Sequence, residues 1–406
     1  MRLPSFSRSL LSATTGLLTI GLLLCACSFG TTRPEESAPL ATPVQKAHQA
    51  PGSIVNVRHA VAGSLGETEL TTYRSTDGAT GAQTEVSAAL FVPKGSPPQG
   101  GWPVVAVAHG TTGVVPNCGP TYAPSSLGTA GPVAELLARG YAVTVTDYQG
   151  LGIAAENSGA TIEHPAHPYL EPRSAAYDLA DSVRALRNLH PGQISTRWAA
   201  AGHSQGGQAS WAATELAASY APELQLVAAL AMAPAVNLTQ IAGIGNGTSV
   251  PADRAWIMPD LITGLSVSNP KLDRWDFLRG QVREQLDTLL TCDPAQAQRQ
   301  EQAEKAINPA DVAPADSAAM AALTQTLTAY TLPQRGSRVP LYVMQGTSDK
   351  VVPESSTTAA VKGACKLGAP VSFHKLPGRD HNIGDDMSGY LWLDKMMHGG
   401  SPDSTC

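Results

Sequence analysis

Residues 197–220 constrain this chain more than any other stretch. Residues 197–201, apolar after Arg197, predict a short buried strand, and residues 205–220 carry the pattern of a helix. Between them stands Gly202-His203-Ser204-Gln205-Gly206, which fits G-x-S-x-G. A strand that becomes a helix with almost no loop forces its turning residue into a strained conformation. Glycines two before and two after that residue remove side chains that would otherwise collide. The Ser204 hydroxyl is then left at a strand tip, beside a helix N-terminus whose free N–H groups favour developing negative charge. A serine so held is a candidate nucleophile.

The chain has 406 residues, 43% hydrophobic and 15% charged, enough for one α/β domain with an insertion. A net charge of −6 argues against a nucleic-acid partner. Arg2 and Arg8 precede an uncharged apolar stretch over residues 10–24, short for a membrane span. The stretch ends in Leu24-Cys25-Ala26-Cys27, which resembles a bacterial lipobox. Cleavage before Cys27 would leave a lipidated cysteine that attaches the protein to a membrane. Cys25 is unusual in such a box, so ordinary signal cleavage and free secretion stay open. Either route takes the mature chain out of the cytoplasm. Residues 28–50 are polar and proline-bearing and read as a flexible tether.

Of six cysteines, two fall in the signal, leaving Cys118, Cys292, Cys365 and Cys406. An even number in an exported chain predicts two disulfides. Four cysteines allow three pairings, and the sequence does not choose among them.

Strands are expected over residues 54–59, 69–74, 87–93, 103–108, 141–146, 197–201, 224–232, 339–344 and 371–376. Helices are expected over 131–139, 174–190, 205–220, 354–365 and 389–397. That alternation predicts a mostly parallel sheet covered on both faces. Buried strand runs disappear over residues 236–333, where helices are expected at 273–290, 295–307 and 316–330. This stretch reads as a helical cap inserted between core segments 51–235 and 334–406, above the strand tips that shape a pocket.

A serine hydroxyl is a weak nucleophile and needs a base, and the base needs an acid that fixes its tautomer. Asp349 and His381 each follow a predicted strand, so both can converge on the strand tip that carries Ser204. Asp380 adjoins His381 in sequence and would diverge from it, while Asp385 and Asp386 read as turn or cap residues. His109 and His203 belong to their own motifs, His164 and His167 to a loop, and His374 to the last strand. Acyl transfer also needs donors for an oxyanion. The Gln205 N–H is one candidate, and Thr111 or Thr112, after the 103–108 strand, the other. Asp147 reads as a structural residue that bonds loop N–H groups. No spacing suggests a metal, and no phosphate or dinucleotide loop follows a strand, so no cofactor is expected.

These motifs resemble the secretory lipase family of the α/β-hydrolases, which includes fungal and exported actinobacterial lipases. The resemblance runs from about residue 50 to the C-terminus. It rests on His109-Gly-Thr-Thr-Gly113 with Asn117-Cys-Gly-Pro-Thr-Tyr122, and on Asp147-Tyr-Gln-Gly-Leu-Gly152. Gly202-His-Ser-Gln-Gly-Gly207, Gly346-Thr-Ser-Asp-Lys-Val-Val-Pro353 and the late His381 complete it. It implies an α/β-hydrolase fold with a helical cap and serine ester hydrolysis by Ser204, His381 and Asp349. It also implies no cofactor, and disulfides pairing Cys118 with Cys292 and Cys365 with Cys406. Thr112 falls where the fungal members carry an oxyanion-hole aspartate. The expected function is an exported carboxylic-ester hydrolase acting on ester or lipid substrates, with no metal. A peptidase or acyltransferase would use the same three groups, and a non-catalytic surface-binding protein is a third reading. The oligomeric state is left open.

Overall fold

In the computed structural model, residues 49–122, 129–156, 158–243, 250–383 and 385–406 are described. The signal over residues 1–27, its Cys27 and most of the 28–50 tether lie outside the described residues.

The described strands form one sheet. They are β1 (Ile54–Val61), β2 (Glu67–Thr76), β3 (Gln83–Phe91), β4 (Trp102–Ala108), β5 (Ala142–Thr146), β6 (Ile194–His203), β7 (Gln225–Met232), β8 (Leu341–Gly346) and β9 (Val371–Leu376). The spatial order is β1-β2-β3-β5-β4-β6-β7-β8-β9. The first three pairings are antiparallel. Every pairing from β5 to β9 is parallel. The mostly parallel α/β sheet predicted from the sequence is thus present.

Side chains of the central strands alternate between two apolar layers, as a period of two requires. Val104 and Ala106 of β4 pack with helices α2 (Pro172–Leu189) and α3 (Gln205–Tyr220), through Leu179, Val183 and Trp211. Val105 and Val107 point the other way and pack with α1 (Ala130–Ala138) and the C-terminal helix Ser388–Met397, through Val133, Leu136 and Leu393. A strand buried on both faces reads as an unbroken apolar run, which is why β4 is so apolar.

Between β7 and β8 the described chain is helical, with α4 (Met258–Ser268), α5 (Ala297–Lys305) and α6 (Ser317–Tyr330) separated by shorter helical pieces and loops. These helices share a third apolar cluster, which includes Leu261, Ile262, Phe277, Leu323 and Leu327. Tyr169, Leu170 and Val114, from loops of the sheet, enter the same cluster. Helices α7 (Glu354–Lys366) and α8 (Ser388–Met397) follow. Disulfides join Cys118 to Cys292 and Cys365 to Cys406, the pairing the resemblance implies.

One expectation for the helical stretch needs correction, and one helix goes beyond the expectations. Residues 273–290 are not one helix but the pieces Arg274–Asp276, Gly280–Glu284 and Leu286–Leu289. Phe277 and Leu278 turn fully inward between the first two pieces. Gly280 takes φ +51° against the Asp311 carboxylate, where a Cβ would lie 2.7 Å from Oδ2. Helix α4 was not expected at all. Its Pro259 and Gly264 look like breakers, yet Pro259 sits in the first turn, where it is tolerated. Gly264 is where α4 meets Tyr169, and a Cβ there would lie 2.2 Å from the Tyr169 Cβ.

Candidate active site

Ser204 stands between β6 and α3 with φ 57° and ψ −114°. Positive φ is rare for a residue with a side chain, and it persists only where the surroundings enforce it. Here the enforcement is close backbone contact. A Cβ on Gly206 would lie 1.9 Å from the Ala108 carbonyl oxygen, and one on Gly202 2.4 Å from the Gly206 carbonyl carbon. The Ser204 N–H donates to the Met232 carbonyl (2.8 Å), and the Ser204 carbonyl accepts from Ala235 N–H (3.1 Å). Both ends of the turn are therefore tied to the β7 tip.

β8 ends in Gly346, and Asp349 lies in the turn that follows. A Cβ on Gly346 would lie 2.2 Å from the Asp380 carbonyl oxygen, so this glycine lets the two loops touch. Ser348 N–H donates to the Arg379 carbonyl (2.9 Å), and the Asp380 carboxylate accepts from Asn382 N–H (2.9 Å), closing the turn that carries His381. Ile383, fully buried, anchors the far side of that turn.

The three side chains meet. His381 Nδ1 lies 2.8 Å from Asp349 Oδ2, and Nε2 lies 3.0 Å from Ser204 Oγ. The carboxylate is buried. Its Oδ1 accepts from the Val351 and Val352 N–H groups (2.8 and 2.9 Å), and its Oδ2 also accepts from Gln345 Nε2 (2.9 Å). Burial alone would raise this carboxyl, but the His381 hydrogen bond and charge and the two backbone donors outweigh it and hold it below the usual range. The site therefore holds a carboxylate at Nδ1, which orients the imidazole with its Nε2 lone pair toward the hydroxyl.

Of the other expected donors, Gln205 is the first residue of α3, so its N–H has no intrahelical acceptor. Its side chain is held by His167, Nε2 to Nε2 at 3.1 Å. Thr111 and Thr112 both line the cavity with Ser204. The Thr111 hydroxyl is engaged by the Tyr169 hydroxyl at 2.7 Å. The Thr112 hydroxyl is buried without a hydrogen-bond partner among the described residues. An unspent donor on a residue of the cavity wall is what an oxyanion site can draw on. Asp147 lies apart, bonded by Ser87, by the Thr121 hydroxyl and by Thr121 N–H (2.7 Å).

Two supporting residues escape a sequence reading. Gln345 holds Asp349 through its amide. His203 donates from Nε2 to the His381 carbonyl (2.8 Å), and its ring lies tilted against the His381 ring with centroids 4.6 Å apart. Nothing in the local pattern marks Gln345. His203 adjoins the nucleophile, but only the fold shows that it steadies the neighbouring loop. Asp385 and Arg379 pair with each other at the rim. Among the described residues, no group of three or more His, Cys, Asp or Glu side chains is placed to hold a metal.

The cavity over Ser204 measures about 820 Å³. Its walls include Leu170 and Pro132 from the sheet side and Ile241, Trp256, Ile257 and Asp260 from the helical stretch.

The secretory lipase profile matches residues 130–395, more than half of the chain. The chain belongs to the secretory lipase family. Among solved structures, this chain is similar to Candida antarctica lipase A in its closed state, with TM-score 0.71 and 19% identity over 90% of this chain and 86% of that one. It is also similar to LipA from Xanthomonas oryzae, a rice cell wall degrading esterase, with TM-score 0.62 and 17% identity over 86% and 97%. A protein from Legionella pneumophila matches with TM-score 0.58 and 16% identity over 88% of this chain and 90% of that one. A search of curated proteins finds no match. These likenesses, at such identities, establish the fold of this chain as that of the α/β-hydrolase lipases, and the family establishes it as a lipase or esterase.

Proposed function

We propose that the chain is an exported serine carboxylic-ester hydrolase in which Ser204, His381 and Asp349 carry the chemistry. The observation that supports this most directly is one imidazole within hydrogen-bond reach of both the Asp349 carboxylate and the Ser204 hydroxyl. Ser204 Oγ attacks the ester carbonyl as His381 Nε2 takes its proton. The imidazolium so formed keeps its Nδ1–H on Asp349. The tetrahedral oxyanion is held by the Gln205 N–H and by Thr112. The intermediate collapses, the C–O bond breaks, and Nε2 returns its proton to the leaving alcohol. Water, deprotonated by the same nitrogen, then attacks the acyl-serine and releases the acid.

The helical stretch over residues 236–333 acts as a cap that supplies the apolar side of the pocket. Ile241, Trp256 and Ile257 in the cavity wall support that role. Residues 1–27 act as the export signal, with Cys27 as the lipid attachment point. The two disulfides fit an oxidising compartment. A fluorophosphonate ester tests the chemistry. Peptide mass spectrometry is expected to find the label on Ser204, and an unlabelled Ser204 in folded protein would overturn the reading.

A further inference from the structure

One carboxyl interrupts the largely apolar wall that the helical stretch offers the cavity. Asp260 stands in the first turn of α4, and it lines the same cavity as Ser204. Its Oδ1 is buried, and among the described residues it has no hydrogen-bond partner. The neighbouring groups do not explain it. Tyr169, which lines the same cavity, has its hydroxyl engaged by Thr111. The charged group that acts on Asp260 is Glu304, which has the same sign. An acid in a first helical turn complements the helix dipole, but a solvated position does so without burial. Here the carboxyl caps nothing, because α4 has no side-chain cap at its start. An acceptor buried without a partner costs stability, and Asp260, half-buried at the cavity wall, is placed for a ligand to meet its carboxyl.

We infer that Asp260 is the polar end of a substrate subsite, and that it receives a hydroxyl group carried by the ester. The inference rests on the serine-hydrolase reading above and narrows it, from esters in general to esters whose acyl or alcohol portion bears a hydroxyl. Burial, with the like charge of Glu304 second, pushes the Asp260 carboxyl up to about 7. Below about pH 7 the site therefore favours the neutral acid, which donates one hydrogen bond to a hydroxyl oxygen and accepts one from its proton. An ammonium group would require the anion that this surrounding disfavours. A plain hydrocarbon tail would leave the carboxyl dry and unpaired. That asymmetry lets one polar group discriminate where the surrounding apolar wall does not.

The test uses two matched pairs. One is the glycerol monoester against the propyl ester of the same acid. The other is the p-nitrophenyl ester of an ω-hydroxy acid against that of the unsubstituted acid. An ω-amino ester gives a fifth substrate. In at least one pair, kcat/KM is expected to favour the hydroxylated member. Asp260→Leu is expected to reduce that ratio about tenfold or more by weakening the hydroxylated substrate and improving the plain one. Asp260→Asn, which still donates and accepts, is expected to keep most of the preference. Asp260→Leu is also expected to raise the melting temperature, since it removes an acid with an unpaired buried oxygen. The proposal is overturned if neither pair shows a preference, if Asp260→Leu keeps the ratio, if it lowers the melting temperature, or if the amino ester is the better substrate. Ser204→Ala separates the two levels: its loss of all ester hydrolysis leaves the serine mechanism standing even where the subsite fails.

Discussion

Asp349 uses its two oxygens for different tasks, and that division makes a sharp prediction. Oδ1 is fixed by the Val351 and Val352 N–H groups, and Oδ2 faces His381 Nδ1 and the Gln345 amide. In Asp349→Asn the side-chain oxygen must stay on the two backbone donors, because an NH₂ group there would face them donor to donor. The new NH₂ then points at His381. It can be satisfied only if Nδ1 becomes an acceptor, which moves the ring proton to Nε2 and removes the base. The expected loss in kcat is on the order of 10⁴, with KM little changed. A loss below about tenfold would mean that the carboxylate does not set the tautomer. Ser204, Asp349 and His381 were legible because each ends a strand in a readable motif. Gln345, His203 and Asp260 were not, because their meaning depends on which distant atom each side chain meets. No spacing along the chain encodes that.

At the scale of elements, the β6–α3 junction is governed by contact with β4. The Gly206 position faces the Ala108 carbonyl, where an added Cβ would lie 1.9 Å away. That neighbour is backbone in a central strand and cannot swing aside. Gly206→Ala is therefore expected to cost about 3 kcal/mol or more, and to displace Ser204 from His381. Thermal melting reads the first effect and fluorophosphonate labelling of the folded fraction reads the second. Normal values for both would show that the turn tolerates a side chain. Elements of the sheet and its flanking helices were legible because strands buried on two faces are continuous apolar runs, and the helices between them carry stripes. The helical stretch was legible only as helical. Its breaks follow from Phe277 and Leu278 turning into a shared cluster, and from Gly280 meeting Asp311, which are tertiary facts. Met258, Leu261, Ile262 and Leu265 do carry a helical spacing, but Pro259 and Gly264 obscure it.

For the whole molecule, the pH dependence of stability follows from acids that the fold buries away from the site. Burial, only partly offset by bonds from Ser87 and Thr121, pushes the Asp147 carboxyl up to about 7. Burial likewise pushes Asp178 up to about 8 against bonds from Ser75 and the Gln149 N–H. Unfolded, both would titrate near about 3.9. The folded chain thus holds protons that the unfolded chain has released. The stabilisation they give is complete below about pH 4 and is lost as pH rises through 7 and 8. Two buried histidines act in the opposite sense. Burial lowers His109 to about 4 and His167 to about 3, so their contribution is present above about pH 6.5 and is lost as pH falls. Between about pH 4 and 6.5 the two groups oppose each other, and above about 6.5 only the carboxyls still act. Carboxylates held low, such as Asp349 and Asp386, have ionised in both states by then. The melting temperature is therefore expected to fall by several degrees from about pH 6.5 to 8.5, since each proton of difference is worth about 1.4 kcal/mol per pH unit. Asp147→Asn should make that fall shallower. The Ser87 and Thr121 hydroxyls that now donate to Asp147 can turn to accept from the amide. Calorimetry across the window decides it: a melting temperature that rises with pH, or a variant with an unchanged slope, would show that these acids ionise in the fold as freely as in water.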